Sequence, residues 1–407
     1  MIAVGIDIGK AKHAAAIIDE HGRQLAKPTF YTADRKGAER LLAEIRRHAS
    51  PQDAVVGMEA TGNYGRGFQD FFAEAGCRID VINPIESSAS MSRDVRGRKS
   101  DKGDAVAIAN VLLDPRHVSK PTGGDVGRPL RELARTRSFL VGQRSAQKLY
   151  LESLLAEAFP EYEAFFDDVF CPCSIALLKK YPTAATLSTA RTCDVAKVIK
   201  AHTRGKNAKD LAERLVAAAR DSLCVGNAAA GAVAKCMKTC LAAIEELDGL
   251  VKEMEDEMEA AETPEMAKTL MQIKGSGKIL PKAIAAEYGA LARFDLDPKT
   301  GARHGMARRM LAFAGCEPRL RESGKWRGRV LISKRGSGQL RTALYLMANS
   351  IRMYDPFFKA LYDEKIKTKH HNVALFYVVA KLLNVVCSLY RSRRNYTVQP
   401  PEKSYQH

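Results

Sequence analysis

The opening strand constrains this chain more than any other stretch. Ile2-Ala3-Val4-Gly5-Ile6-Asp7-Ile8-Gly9 is an apolar, β-branched run with one acid inside it, and after Lys10-Ala11-Lys12 a second apolar run covers residues 14–18. Neither run shows sustained polar alternation, so both read as strands buried on two faces. An aspartate in such a strand is costly to keep ionised unless something pairs with it. A divalent cation is the cheapest partner for clustered carboxylates, and three further acids stand in suitable places. Glu59 ends the strand-like run Val55-Val56-Gly57-Met58-Glu59, while Asp101 and Asp104 open an apolar helix over residues 105–113. Their i, i+3 spacing puts both carboxylates on one helical face, about 5–6 Å apart at Cβ.

A chain of 407 residues has room for two or three domains. Its 46% hydrophobic content excludes a disordered scaffold. A formal charge of +17 and a pI near 9.4 point to a polyanionic partner, nucleic acid first. No lipidation motif or basic amphipathic anchor accompanies the charge, so no membrane partner is expected. The core pattern begins at Ile2, which predicts no signal peptide. The most apolar late stretch, residues 373–390, contains Lys381 and Asn384 and reads as a buried helix rather than a membrane span. Nine cysteines without framework spacing suggest reduced thiols and a cytoplasmic protein. Cys171, Cys173, Cys193 and the pair Cys236/Cys240 could gather a zinc ion, but no paired CxxC knuckles support it, and buried free thiols are the simpler reading.

Residues 1–125 alternate strand and helix. A third strand is predicted over 25–32, and Asp34 caps a helix to about residue 48 with Leu41, Leu42 and Ile45 inward. Residues 55–59 form the fourth strand, 64–75 a helix, and 78–82 the fifth strand, stopped by Asn83-Pro84. Hairpin strands followed by βαβ units are the order of an α/β ribonuclease-H-like fold, and equally of the actin and sugar-kinase ATPases. Against the ATPase stand the missing Thr/Ser after Gly9 and the lack of a second Asp-x-Gly loop. The polar segment 87–102, with Arg93, Arg96, Arg98 and Lys99, reads as a loop that an anion would order.

From residue 128 the pattern turns helical. Leucines at 130, 133, 140, 149, 154 and 155 predict a long helix to about 166, and a second covers about 228–262. Two long helices around an insert at about 167–225 suggest an antiparallel coiled coil or arm, a common dimerisation device. The insert itself carries no chemical signal. Residues from about 264 form a third module, opening on Lys274-Gly275-Ser276-Gly277-Lys278, a helix-hairpin-helix-like turn whose N–H groups could take a phosphate. Residues 303–341 are densely basic, with Arg321, Lys325, Arg327, Arg329, Lys334, Arg335 and Arg341 among them, and suggest phosphate contacts.

A nuclease of this fold needs two Mg²⁺ about 3.5–4 Å apart. Magnesium takes hard oxygen ligands, so Asp7, Glu59, Asp101 and Asp104 fit it while the cysteines and histidines do not. No organic cofactor is expected. Singly, each acid could be a cap or surface carboxylate, and Asp101 in particular could be just an N-cap, but four such acids in this fold order are much harder to dismiss.

The chain resembles the DEDD-type insertion-sequence transposases (the insertion sequence 110 family), with a RuvC-like N-terminal domain and a serine-bearing C-terminal domain. The family includes bridge-RNA-guided recombinases and relatives of the Piv-type DNA invertases. At the front the likeness rests on Gly5-Ile6-Asp7-Ile8-Gly9-Lys10, Met58-Glu59-Ala60-Thr61-Gly62 and Lys99-Ser100-Asp101-Lys102-Gly103-Asp104-Ala105. At the back it rests on Gly315-Cys316-Glu317-Pro318, Glu322-Ser323-Gly324, Ile332-Ser333-Lys334-Arg335-Gly336 and Leu340-Arg341. The glycine hairpin departs from the family's pattern, with Lys274 for proline and Ser276 for an aliphatic residue.

The resemblance implies a RuvC-like DEDD nuclease domain at 1–127, a helical coiled-coil region at 128–262, and a mostly α-helical serine transposase domain at 263–407. It makes Asp7, Glu59, Asp101 and Asp104 the metal tetrad and Ser323 the nucleophile that joins DNA. It also implies donor and target DNA, a non-coding guide RNA, a homo-oligomer (dimer or tetramer) with sites shared between protomers, and a bacterial or archaeal cytoplasm. The rivals are an invertase of the same chemistry, a RuvC-like junction-resolving nuclease, and a nucleic-acid binder without catalysis.

Overall fold

The computed structural model describes residues 1–59, 64–82, 100–114, 117, 127–203, 207–224, 229–297, 301, 303–319, 322–323, 326–327 and 331–398. The chain divides into two compact units, Met1–Val126 with Ala292–Met306, and Gly127–Leu291 with Ala307–His407.

The first unit is built on strands β1 (Ile2–Asp7), β2 (Lys12–Ile18) and β3 (Gln24–Thr32), an antiparallel meander. Helix α1 (Arg35–His48) follows, its first turn held by Asp34, whose side chain accepts the Gly37 N–H at 2.8 Å. Strand β4 (Ala54–Glu59) lies parallel to β1, helix α2 (Arg66–Glu74) crosses over, and β5 (Arg78–Ile82) lies parallel to β4. The sheet order is β3-β2-β1-β4-β5, the ribonuclease-H-like arrangement. One face carries the large core side chains, Val4 and Ile6 of β1 with Leu41, Ile45, Phe68 and Phe72 of α1 and α2.

The other face is covered by α3 (Asp101–Leu113). Here the residues are small. Ala14 and Ala16 meet Ala105, and Ala3 and Ile18 meet Ala109. Gly5 and Gly57 lie opposite each other in the β1/β4 register. A Cβ on Gly5 would come within 2.1 Å of the Ala105 carbonyl oxygen and 2.4 Å of the Ala109 nitrogen. Glycine at Gly5 is therefore what lets the helix lie directly on the central strand.

The second unit opens on two 31-residue helices, α4 (Arg128–Ala158) and, after the insert, α9 (Ala230–Ala260). They run antiparallel: Leu151, Leu154 and Leu155 pack with Val233, Met237 and Leu241, while Leu130 at the other end meets Met258. Arg137–Glu255 and Arg144–Asp248 pairs link them between these ends. Between them α5 (Pro172–Lys180), α6 (Ala184–Ser188), α7 (Thr192–His202) and α8 (Ala208–Asp221) share a core with the ends of the long helices. The nine cysteines are free, and Cys173 and Cys240 are buried in that core.

The unit continues with α10 (Glu265–Met271), α11 (Ile279–Tyr288) and α12 (Met306–Ala314). Short strands follow, β6 (Pro318–Arg319), β7 (Glu322–Ser323), β8 (Trp326–Arg327) and β9 (Leu331–Ile332), paired β6 with β9 and β7 with β8. It ends in α13 (Gly338–Tyr354), α14 (Pro356–Ile366) and α15 (His371–Ser392). By length and mean hydropathy alone, 1.9, α15 could cross a membrane. It instead buries Leu375, Val378, Val379, Leu382, Leu383 and Val386 and packs on α13, α14 and α10.

Candidate active site

Side chains on a strand alternate between faces, so Ala3, Gly5 and Asp7 share the face under α3. Asp7 pairs with Ala14 across β2, and Ala14 with Phe30 across β3. On the other side Ile6 pairs with Met58, so the same register carried one residue further sets Asp7 beside Glu59. Both acids end their strands, at the same edge of the sheet. Above them, α3 begins with Asp101 and Asp104 in its first turn. The N-cap is Ser100, whose hydroxyl accepts the Gly103 N–H at 3.2 Å. This corrects the capping alternative for Asp101, which is the first helical residue and exposed.

The four acids feel one another. The Asp7 carboxyl is pushed up to about 6, first by burial and then by the charges of Asp101, Asp104 and Glu59. The donor set is oxygen only, which suits a hard divalent cation such as magnesium. Among the described residues no three His, Cys, Asp or Glu side chains close into a ligand cage. The structure thus shows four carboxylates within electrostatic reach rather than at ligand distance.

Two buried polar residues of the same sheet carried no sequence signal. His13 is fully buried on the opposite face, its Nδ1 accepting the Gly9 N–H at 3.3 Å and its ring edge-on to Phe68. It pins the turn that follows Asp7, and burial holds its pKa down. Asp80, buried on β5 opposite Gly57, pairs with His117 at 3.0 Å.

Arg93, Arg96, Arg98, Lys99, Arg321, Lys325 and Arg329 lie outside the described residues. Ser323 ends β7, paired with Trp326, and Arg327 ends β8, paired with Glu322. Lys334 and Arg335 are exposed, Lys334 with a left-handed φ of 53°. The Arg341 Nη1 donates to the carbonyls of Ala314, Lys334 and Gly336, and so fastens this loop to the end of α12. Gly275 and Gly277 both take positive φ in the turn between α10 and α11. Gly275 is closely packed, its carbonyl accepting the Ser350 hydroxyl at 2.6 Å. Lys278 pairs with Glu259 at 2.9 Å.

The sheet order defines a ribonuclease-H-like domain, with acids at two strand ends and at a helix start. Two family profiles match the chain, one for a DEDD-type IS110 transposase over residues 4–160, the other described as "Transposase IS116/IS110/IS902 family" over 267–363. Together they span more than half of it, and the chain belongs to the IS110 family of transposases, enzymes that cleave and rejoin DNA. It is 26% identical over 341 residues to a Streptomyces coelicolor mini-circle protein ascribed to IS117 as transposase, covering 79% of this chain and 77% of that one. It is 26% identical over 400 residues to the uncharacterised 42 kDa protein of insertion element IS900 of Mycobacterium paratuberculosis, covering 96% of each. It is 25% identical over 410 residues to the uncharacterised 44.8 kDa protein of IS116 of Streptomyces clavuligerus, covering 98% and 97%. Among solved structures, Thermus thermophilus RuvC bound to a Holliday junction substrate aligns with 30% of this chain and 99% of its own. The identity is 18% and the TM-score 0.24, so the strand order, not that likeness, defines the fold.

Proposed function

We propose that this transposase cuts and reseals DNA through a covalent phosphoserine on Ser323, with Asp7, Glu59, Asp101 and Asp104 holding two Mg²⁺. The observation behind this is the convergence of four carboxylates on the α3 face of the sheet, where burial first and then the charges of Asp101, Asp104 and Glu59 lift Asp7 to about 6. Bound there, the cations would supply charge to steady the phosphate and to favour an ionised nucleophile. The Ser323 oxygen forms a bond to phosphorus as one P–O ester bond of the strand breaks; the serine proton leaves to solvent, and the departing oxygen takes up a proton to become a free hydroxyl end. Because the new ester keeps the energy of the old one, a hydroxyl end can later displace the serine and reseal the strand. A serine hydroxyl needs such activation, and no histidine stands near it in sequence.

In this reading the chain acts as a homo-oligomer, the acids of one protomer serving the serine of another. A non-coding guide RNA pairs with donor and target DNA; the family resemblance supports the guide, and the +17 charge is compatible with it. The test is a denaturing gel with labelled DNA and Mg²⁺. Wild type should give a protein–DNA adduct, Ser323→Ala none, and Asp101→Asn none while still binding DNA. An adduct persisting in Ser323→Ala would move the nucleophile, with Ser333 or Ser337 next.

A further inference from the structure

The acid row has a cationic continuation. Asp7, Ala14 and Phe30 are successive cross-strand partners on β1, β2 and β3, so their side chains share the α3 face. Strands lie about 4.8 Å apart, which puts Phe30 about 10 Å along the sheet from Asp7. Its ring is partly buried against Ala14, Ala16 and Ala105. Two ammonium groups stand over this one ring, Lys12 Nζ at 4.0 Å from the centroid and Lys102 Nζ at 5.1 Å. Lys102 comes from the first turn of α3, between Asp101 and Asp104, and Lys12 from the start of β2.

The arrangement is unusual on charge grounds. Two like charges share one ring a short way from four carboxylates, yet neither lysine makes an ion pair with a described acidic residue. The ring's π-electrons hold each ammonium, and an anion bound near both would relieve their mutual repulsion. The sheet row therefore runs from a site for cations to a site for an anion. A DNA strand entering the acid site carries its next phosphates along that row. With an axial rise of about 3.4 Å per nucleotide, about 10 Å is about three nucleotides from the scissile position.

Resting on the proposed function for the acid site, we propose that Lys12, Lys102 and Phe30 form a phosphate-binding subsite that holds the DNA backbone beside the scissile nucleotide. The lysines carry the charge. Phe30 is a positioning residue that keeps both ammonium groups on the strand's path.

The experiment uses the full chain and a fluorescein-labelled single-stranded 20-nucleotide DNA, with affinity measured from 50 to 300 mM salt. Lys12→Gln/Lys102→Gln should weaken binding about tenfold at low salt and lower the log–log salt slope by about 0.7 for each phosphate no longer neutralised. Phe30→Leu, which keeps the apolar packing, should shift both in the same direction by less. Lys12→Arg/Lys102→Arg should restore them. Lys235→Gln/Lys238→Gln on α9 removes the same net charge and should leave the slope unchanged. An unchanged slope in Lys12→Gln/Lys102→Gln, or an equal fall in the α9 control, overturns the subsite. If wild type forms no adduct while the slope still falls in Lys12→Gln/Lys102→Gln alone, the phosphoserine reading fails and the phosphate site stands.

Discussion

At the scale of single residues, Asp7 carries a conflict between function and stability. Its carboxyl is raised to about 6 from an unfolded value near 3.8, by burial first and by three neighbouring acids second. A carboxyl raised on folding destabilises the fold once it ionises, so this penalty is absent below pH 4 and complete above pH 6. Asp7→Asn should therefore raise the melting midpoint of chelator-treated protein at pH 8 and not at pH 4, while abolishing cleavage. Because the site is half open to water and screened, we expect about 2 °C, the shift that about 1 kcal/mol gives at this size. A midpoint at pH 8 that falls instead would show Asp7 to be a structural hydrogen-bond partner. The acid's importance was legible in the sequence, because a lone carboxylate in a two-sided apolar strand is costly wherever it occurs. The roles of Lys12, Phe30 and Lys102 were not, because they meet only through a register across three strands.

At the scale of elements, glycines decide where α3 can lie. The extra methyl of Gly5→Ala would overlap the Ala105 carbonyl, so the helix must lift and carry Asp101 and Asp104 away from Asp7. We expect a loss of about 3 kcal/mol in chemical denaturation and loss of cleavage. Gly67→Ala, on α2 with nothing within 4 Å of the added carbon, should gain about 0.5–1 kcal/mol; equal effects at both sites would mean that α3 does not rest on β1. A second element depends on Lys282, buried in α11, whose ammonium donates to the carbonyls of Met258, Glu259 and Ala261 and so closes the C-terminal end of α9. Lys282→Met leaves those carbonyls unsatisfied and should lower stability by about 2–3 kcal/mol, with adduct formation at low temperature retained. Periodicity and capping signals gave many elements, including the Asp34 cap and the β5 limits, but ran the first long helix to about 166 where it stops at Ala158, just before Pro160. They missed Ser100 as a cap because a serine followed by two acids offers three capping residues within five positions, and only backbone angles choose among them.

At the scale of the whole molecule, the two halves of the proposed chemistry sit in different compact units, the acids in the first and Ser323 in the second. Sequence order alone cannot say whether they meet within one chain or between two, since the same residues serve either way. The two cases differ in a mixing experiment. Asp7→Asn lacks working acids and Ser323→Ala lacks the nucleophile, so each alone should form no adduct. If sites are shared between protomers, a dimer with one of each has one complete site, the acids of the Ser323→Ala chain facing the serine of the Asp7→Asn chain. With equal amounts and free exchange in a symmetric dimer, half of the dimers are mixed and half of their sites complete, giving about a quarter of wild-type adduct. The adduct must also lie on the Asp7→Asn chain, which a size tag on one variant reveals. If each site is built from one chain, every site in every mixture lacks one part and no adduct appears at any ratio.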